Sequence, residues 1–361
     1  MATPTPTHPT DDPEDEDFAT QETAVRRILI VGPSWVGDMV MAQSLFKVLK
    51  AAGPCEIDVL APEWSLPILA RMPEVSRGVV MPVGHGKLEF GVRWKLGQSL
   101  GTVAYDQAVV LPNSLKSALI PAFAGIPQRT GFRGEMRYFL INDMRMLSKR
   151  RLPMTVQRFV ALGRGINQPL PDPLPRPQLV ADAANQHSLP DRLGLSLERP
   201  AVAFMPGAEY GPAKQWPLPH FARLAADLVE RGFQVWILGS GKDSEAADII
   251  ASGQEENVIN LCGRTELGDA VDLLAMCRAA VTNDSGLMHV AAALDLPQVA
   301  IFGSSTPQHT PPLSDRAHVI YLGIECSPCF KRTCPLGHTR CLTEIAPQRV
   351  LAALDQLGVS A

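Results

Sequence analysis

Twice along this chain short apolar runs alternate with helical patterns, and five prolines on alternate positions stand between the two series. That alternation is the tightest constraint the sequence carries. Strands separated by a helix cannot pair through a hairpin; they need crossovers, and repeated crossovers build a parallel, doubly wound sheet. The first series predicts strands at 28–31, 57–60, 78–81 and 108–111, with helices over 39–49, ended near Gly53, and over 115–124. The second predicts strands at 201–205, 235–238, 258–260, 279–282 and 299–302, with helices at 221–231, 245–252, 267–277 and 286–294. Between them Pro169, Pro171, Pro173, Pro175 and Pro177 deny helix and sheet alike their hydrogen bonds.

The 361 residues suffice for two α/β domains with a core each. The predicted division is an acidic, disordered tail over 1–24, a first domain over 25–168, a Pro-rich linker over 169–190 and a second domain over 191–361. Two such halves place a ligand cleft between them, at the carboxyl ends of their strands.

The net charge of −4 hides an uneven distribution. The tail carries seven acids and no Lys or Arg, residues 25–180 have a balance of +10, and residues 181–361 one of −7. A basic first half suits an anionic substrate or membrane surface, and a solvated surface by chance is the plain alternative. No apolar run reaches the ~18 residues of a membrane-spanning helix, and residues 1–10 lack the pattern of a signal peptide. A cytoplasmic protein is therefore expected. Its seven cysteines are then thiols or metal ligands rather than disulfides.

Three strand ends carry chemistry. The first strand runs through Gly32-Pro33-Ser34-Trp35-Val36-Gly37-Asp38 into a helix. An Asp there stabilises a first helical turn, or, held at the cleft, serves as a general base. Dinucleotide binding is disfavoured because G-x-G-x-x-G is absent. In the second half, the loop from Met205 to Pro217 is polar and glycine-containing, with Lys214 either solvated or docking a phosphate. The segment Asn283-Asp284-Ser285-Gly286-Leu287-Met288-His289 ends a buried strand and opens a helix. Asp284 or Ser285 either caps that helix or joins the backbone N–H groups and His289 around a pyrophosphate or sugar diol. Cys326, Cys329, Cys334 and Cys341, with His338 among them, have the spacing of a compact zinc loop, although only one C-x₂-C knuckle is present. Reduced cysteines packed as small hydrophobes are the alternative.

Together, Gly-Pro-Ser-Trp-Val-Gly-Asp at 32–38, Pro-Gly-Ala-Glu-Tyr-Gly-Pro-Ala-Lys at 206–214, Asn-Asp-Ser-Gly-Leu-Met-His at 283–289 and the cysteine-rich stretch 326–341 resemble glycosyltransferase family 9, the lipopolysaccharide heptosyltransferases. The resemblance spans roughly 26–358. It implies a GT-B fold: two Rossmann-like domains with parallel sheets facing an interdomain cleft, acceptor on the first half and nucleotide sugar on the second. It implies inverting transfer of heptose from ADP-heptose to the first heptose of a lipopolysaccharide core precursor. Alternatives are transfer one sugar earlier and a non-catalytic nucleotide-sugar-binding protein. Asp38 matches the family's catalytic base and Lys214 its donor-phosphate lysine; Asp284, Gly286 and His289 match donor contacts. Ser285 keeps a hydroxyl where relatives carry threonine, and Glu209 and Tyr210 stand in a donor loop where some relatives carry two threonines. Lys87, Arg93, Lys95, Arg129, Arg133 and Arg137 are candidates for the acceptor's anionic groups and for an anionic inner-membrane surface, met peripherally on its cytoplasmic face. No Asp-x-Asp occurs outside the tail, so no metal is expected on the diphosphate. No cofactor and no nucleic acid partner are expected either.

Overall fold

The computed structural model describes Met1 and residues 25–84 and 86–361; the rest of the acidic tail predicted to be disordered lies outside the described residues. The first half opens with β1 (Arg26–Val31), α1 (Val36–Ala51), β2 (Cys55–Ala61) and the short α2 (Leu66–Leu69). It continues through β3 (Arg77–Val80), α3 (Phe90–Gly101), β4 (Gln107–Val110), α4 (Leu115–Phe123), β5 (Gln128–Phe132), β6 (Asp143–Arg145) and α5 (Thr155–Leu162). After α6 (Ala183–Leu193) the second half runs β7 (Ala201–Met205), α7 (Leu218–Glu230), β8 (Gln234–Ile237), α8 (Ser244–Ala251), β9 (Val258–Asn260) and α9 (Leu267–Met276). It closes with β10 (Ala279–Asn283), α10 (Gly286–Ala293), β11 (Gln298–Phe302), β12 (Ala317–Tyr321), α11 (Arg340–Thr343) and α12 (Pro347–Gln356).

Each half forms a six-stranded sheet, ordered β3-β2-β1-β4-β5-β6 and β12-β11-β10-β7-β8-β9. Every strand pair is parallel. Read from its own first strand, the second sheet repeats the order of the first. In both, the chain reverses direction of winding beside that first strand, between β1 and β4 and between β7 and β10. Such a switch point leaves a crevice at the carboxyl ends, where loops part to opposite faces. The central strands β4, β7, β10 and β11 are buried at every position, as helices on both faces of a parallel sheet require. This is the GT-B architecture that the motifs imply.

Three strands lack an apolar signature. Gln128 and Arg129 open β5, and β6 and β12 are edge strands with polar positions, so burial on both faces does not select their residues. A correction falls within 169–190. Its alternating prolines end at Pro177, and the last third opens α6, which contains Pro190 and is started by the Asp182 side chain accepting from the Ala184 and Asn185 amides. The proline segment also does not hang free. Gln43 exchanges hydrogen bonds with the Gln178 main chain, Leu179 N donates to Ala293 O, and Val180 N donates to Arg71 O. Arg71, after α2, reaches into the second half and grips buried Asp272 of α9 through both its Nε and Nη2.

The halves meet most closely at α1 and α10, whose first turns face one another. A β-carbon at Gly286 would lie 2.7 Å from Val36 Cβ, and one at Gly37 would lie 2.5 Å from His289 Cδ2. Only hydrogen atoms at these two positions permit the approach. It continues as one apolar cluster containing Met39, Val40, Val290 and Ala291.

Candidate active site

The predicted catalytic and donor residues come from the carboxyl ends of β1, β7 and β10, the strands that flank the two switch points. From the first half, the turn after β1 delivers Asp38 in the first turn of α1. Burial pushes its carboxyl up to about 6, with the Lys214 ammonium across the cleft pulling the other way. A carboxylate so placed is ionised at neutral pH yet basic enough to take a proton from a hydroxyl.

From the second half, Lys214 Nζ lies 2.5 Å from Asp284 Oδ2, both side chains largely buried. The same carboxylate oxygen accepts from Ser305 Oγ. Asn283 holds the loops together: its Oδ1 accepts from Trp216 N and its Nδ2 donates to Pro206 O. The two loops bearing Lys214 and Asp284 are therefore fixed to each other by a buried amide. Ser285 makes no side-chain cap to α10 and rests 3.4 Å from Thr282 Oγ1, so its own hydroxyl does not occupy the first amides of the helix. Anions favour such a helix start.

These groups border an open cavity of about 210 Å³ lined by Tyr210, Lys214, Asp284, Ser304, Ser305, Thr306, His309, Thr310 and Phe330. Six of these nine residues are ones that the motif analysis did not single out. Ser304, Ser305 and Thr306 follow β11, and the buried Ser304 Oγ has no hydrogen-bond partner, which suits an acceptor oxygen from a ligand. The available signal was a fourth strand end, Gly303-Ser304-Ser305-Thr306, with a run of hydroxyls.

Tyr210 closes one side of the cavity, its hydroxyl donating to Phe330 O and its ring lying beneath the cations of Lys214 and Arg332, each 5.3 Å from the centroid. Glu209 points outward into an exposed ion pair with Lys242, 2.7 Å away. His289 is buried and packed on Gly37 rather than open to the cavity. Burial brings its imidazole down to about 4, with Asp284 opposing and Lys214 assisting. It is a neutral packing group at the base of the cleft. Gly286 acts likewise through its close approach to Val36.

The basic candidates of the first half divide. Lys87 and Arg133 are exposed at the carboxyl-terminal edge, Lys87 with Glu89 3.7 Å away. Arg93 and Arg137 are buried, and backbone carbonyls occupy their guanidinium groups. Burial holds both below the ordinary arginine range, Arg137 at about 10. Arg129 opens β5, at the edge of the sheet remote from the cleft, and donates to Leu140 O and Ile126 O. These three arginines brace loops and are not free for an acceptor. A guanidinium surrounded by carbonyls satisfies the same count of charge and spacing from sequence, which is why they were indistinguishable there.

Cys326, Cys329, Cys334 and Cys341 line one small cavity with Ser304 and Ala213. All are free thiols, and among the described residues no three His, Cys, Asp or Glu converge to hold a metal ion. The four cysteines of the predicted loop thus come together around one cavity as thiols. Their segment instead buttresses the donor loops. Arg332 O accepts from Ala213 N, Phe330 N donates to Ser304 O, and Ser327 Oγ donates to Gly303 O.

Comparison with known proteins agrees with this geometry. A profile described as Glycosyltransferase family 9 (heptosyltransferase) matches residues 93–340. Lipopolysaccharide heptosyltransferase 2 of Escherichia coli K12 is 51% identical over 341 residues, 92% of this chain and 98% of that protein. Lipooligosaccharide heptosyltransferase 2 of Haemophilus influenzae is 47% identical over 91% of this chain and 99% of its own length. Among solved structures, E. coli ADP-heptose lps heptosyltransferase II superposes with a TM-score of 0.83 at 50% identity, covering 92% of this chain and 98% of that one.

Proposed function

The chain belongs to glycosyltransferase family 9, and from that premise we propose that it moves L-glycero-D-manno-heptose from ADP-heptose to the first heptose of the lipopolysaccharide inner core, with inversion. The observation that carries this is the opposition of Asp38 on one half to the Lys214–Asp284 pair on the other. A base and an anion site face each other across a cleft at the strand ends. That is the arrangement needed to deprotonate an acceptor and receive a departing diphosphate.

The acceptor hydroxyl attacks the anomeric carbon as its proton passes to Asp38, and the bond from that carbon to the diphosphate oxygen breaks. Attack from the face opposite the leaving group inverts the centre. Negative charge grows on the diphosphate, where Lys214, the first amides of α10 and Ser304 lie; fixed donors of this kind lower the barrier without reorganising. Asp284 holds Lys214 in place, and the Tyr210 ring packs against the lysine at the cavity wall.

A lipid-anchored acceptor implies work at a membrane. Among the described residues no helix is long and apolar enough to cross one; the attachment proposed is peripheral, at the anionic cytoplasmic face. The decisive assay offers ADP-heptose with heptose-free and with mono-heptosylated Kdo₂-lipid A. Transfer to the mono-heptosylated acceptor alone is expected. Transfer to the heptose-free acceptor would move the enzyme one sugar earlier, and binding of ADP-heptose without transfer to either would make it a nucleotide-sugar-binding protein.

A further inference from the structure

Beyond the carboxyl ends of β3, β4 and β5 run three segments, 86–93, 111–117 and 133–142, on the same edge of the sheet as Asp38. The two buried arginines clamp them into one surface. Arg93 donates to Leu88 O at 2.6 Å in its own segment and to Lys116 O at 3.2 Å in the next. Arg137 donates to Pro112 O and to Phe132 O, both at 2.7 Å, joining the third segment to the second. Glu135 adds a bond from the Leu115 amide. Burying two guanidinium groups is costly unless their donors are met; of their nitrogens Arg137 Nε alone lacks a partner, so the clamps hold this edge rigid.

What the clamps hold outward is apolar. Phe139 is 95% exposed and Met136 81%, with Tyr138 beside them, while Leu88, Phe90 and Trp94 are exposed on the other flank. Left-handed backbone at Glu135 and Met136 (φ 39° and 51°) keeps the methionine turned out, a conformation that non-glycine residues hold only under constraint. Leaving a large apolar side chain in water forgoes ~1.5–3 kcal/mol, and a contiguous set of them on a folded surface marks a partner.

The charge around these tips names the partner's sign. Lys87 and Lys95 flank the first segment, Arg133 the third, and the exposed run Lys149-Arg150-Arg151 follows β6 together with exposed Met146. The only carboxylates on the three segments, Glu89 and Glu135, are engaged with Lys87 and with the Leu115 amide. A second copy of this chain would bring one positive face against another. An anionic bilayer complements both features at once: aromatic and methionine tips enter the interfacial zone and basic side chains meet the headgroups.

We propose that this edge of the first sheet is a membrane-docking face that inserts Met136, Tyr138, Phe139, Phe90 and Trp94 into an anionic bilayer. The inference rests on the reading that the acceptor is lipid-anchored. Docked this way, the bilayer lies on the side of the sheet from which an acceptor saccharide reaches Asp38.

The test uses the full chain with phosphatidylcholine vesicles, with and without phosphatidylglycerol and free of any saccharide. The wild type should co-sediment with the phosphatidylglycerol vesicles, and a Met136→Ser/Phe139→Ser double variant should lose about tenfold or more in affinity. A charge variant, Lys149→Glu/Arg150→Glu, should lose binding mainly at low salt. Transfer from ADP-heptose to a deacylated, water-soluble acceptor should be the same in wild type and Met136→Ser/Phe139→Ser. Wild-type turnover of that acceptor without vesicle binding, or equal binding by the apolar variant, overturns the docking face alone. Absence of wild-type turnover overturns the proposed function instead. Concentration-dependent dimerisation abolished by Met136→Ser/Phe139→Ser, with no vesicle binding, would assign the face to a second copy.

Discussion

Gly37, in the first turn of α1, lies so close to the imidazole of His289 in α10 that a β-carbon there would stand 2.5 Å from Cδ2. The neighbouring residue is Asp38, so the contact between the halves and the position of the base are set within one helical turn. The imidazole is buried, and Asp38 follows Gly37 directly in the first turn of α1.

Gly37→Ala should therefore separate the first turns of α1 and α10. Overpacking at a tight contact costs ~1–3 kcal/mol, and a shift of Asp38 relative to the donor loops should lower kcat by about tenfold or more. Adding His289→Ala should recover part of both losses, with a coupling of ~0.5–3 kcal/mol. Thermal melts and steady-state rates of the two single variants and the double variant measure this. Strict additivity would mean that the contact does not position the base.

Asp38→Asn preserves shape but cannot accept a proton. Its kcat should fall ~10²–10⁴-fold while ADP-heptose affinity, measured by calorimetry, stays near wild type. In the wild type, kcat/KM should rise with pH through about 6, the value to which burial raises this carboxyl, because only the ionised form is a base. Asp38→Asn should lack that limb. Activity within a few-fold of wild type would remove Asp38 from the proton transfer.

Sequence disclosed this much because parallel sheets bury both faces. The runs 201–205 and 299–302 are apolar throughout and match β7 and β11 closely. β5, β6 and β12 escaped because edge positions and polar openings such as Gln128-Arg129 relax that demand. For the candidate site, the strand-end motifs pointed to Asp38, Lys214 and Asp284, which the fold brings near one another at the strand ends of the two halves. Burial was not legible: whether an arginine meets solvent or carbonyls depends on chain segments far apart in sequence, as Arg137 and Pro112 are. Ser304 escaped for a related reason, since an unpartnered hydroxyl exists only once its surroundings are fixed.

Lys214→Ala should act at two places. Donor affinity should drop by ~1.5–3 kcal/mol with the loss of a charge-assisted contact to phosphate. The acid limb of kcat/KM should also move to higher pH, because Lys214 is the charge that pulls the Asp38 carboxyl down. Calorimetry with ADP and a pH–rate profile read these separately. Reduced acceptor affinity with an unchanged donor Kd would reverse the assignment of substrates to halves. An acid limb that stays in place would mean that Lys214 turns away from Asp38 when substrates bind.

Asp38 and His289 also make opposite contributions to stability. Asp38 titrates near 6 in the folded chain against a reference of 3.8, so between those values the folded state binds more protons than the unfolded one. Its contribution to stability is present below that window and is lost as pH rises through it. His289 titrates near 4 against 6.5, so there the unfolded state binds more protons, and stability is gained as pH rises. The two windows overlap almost completely, and their slopes, each on the order of 1 kcal/mol per pH unit at most, largely cancel. Asp38→Asn removes one side of the balance. Relative to wild type, its stability should climb more steeply with pH from about 4 to 6, while His289→Asn should tilt the difference the other way. Urea unfolding at intervals across this range gives the slopes, and because the readout is a difference in slope, a uniform loss of stability in either variant does not obscure it. Parallel curves for wild type and Asp38→Asn would show that the Asp38 carboxyl is not shifted by burial, and with that its tuning as a base would fall.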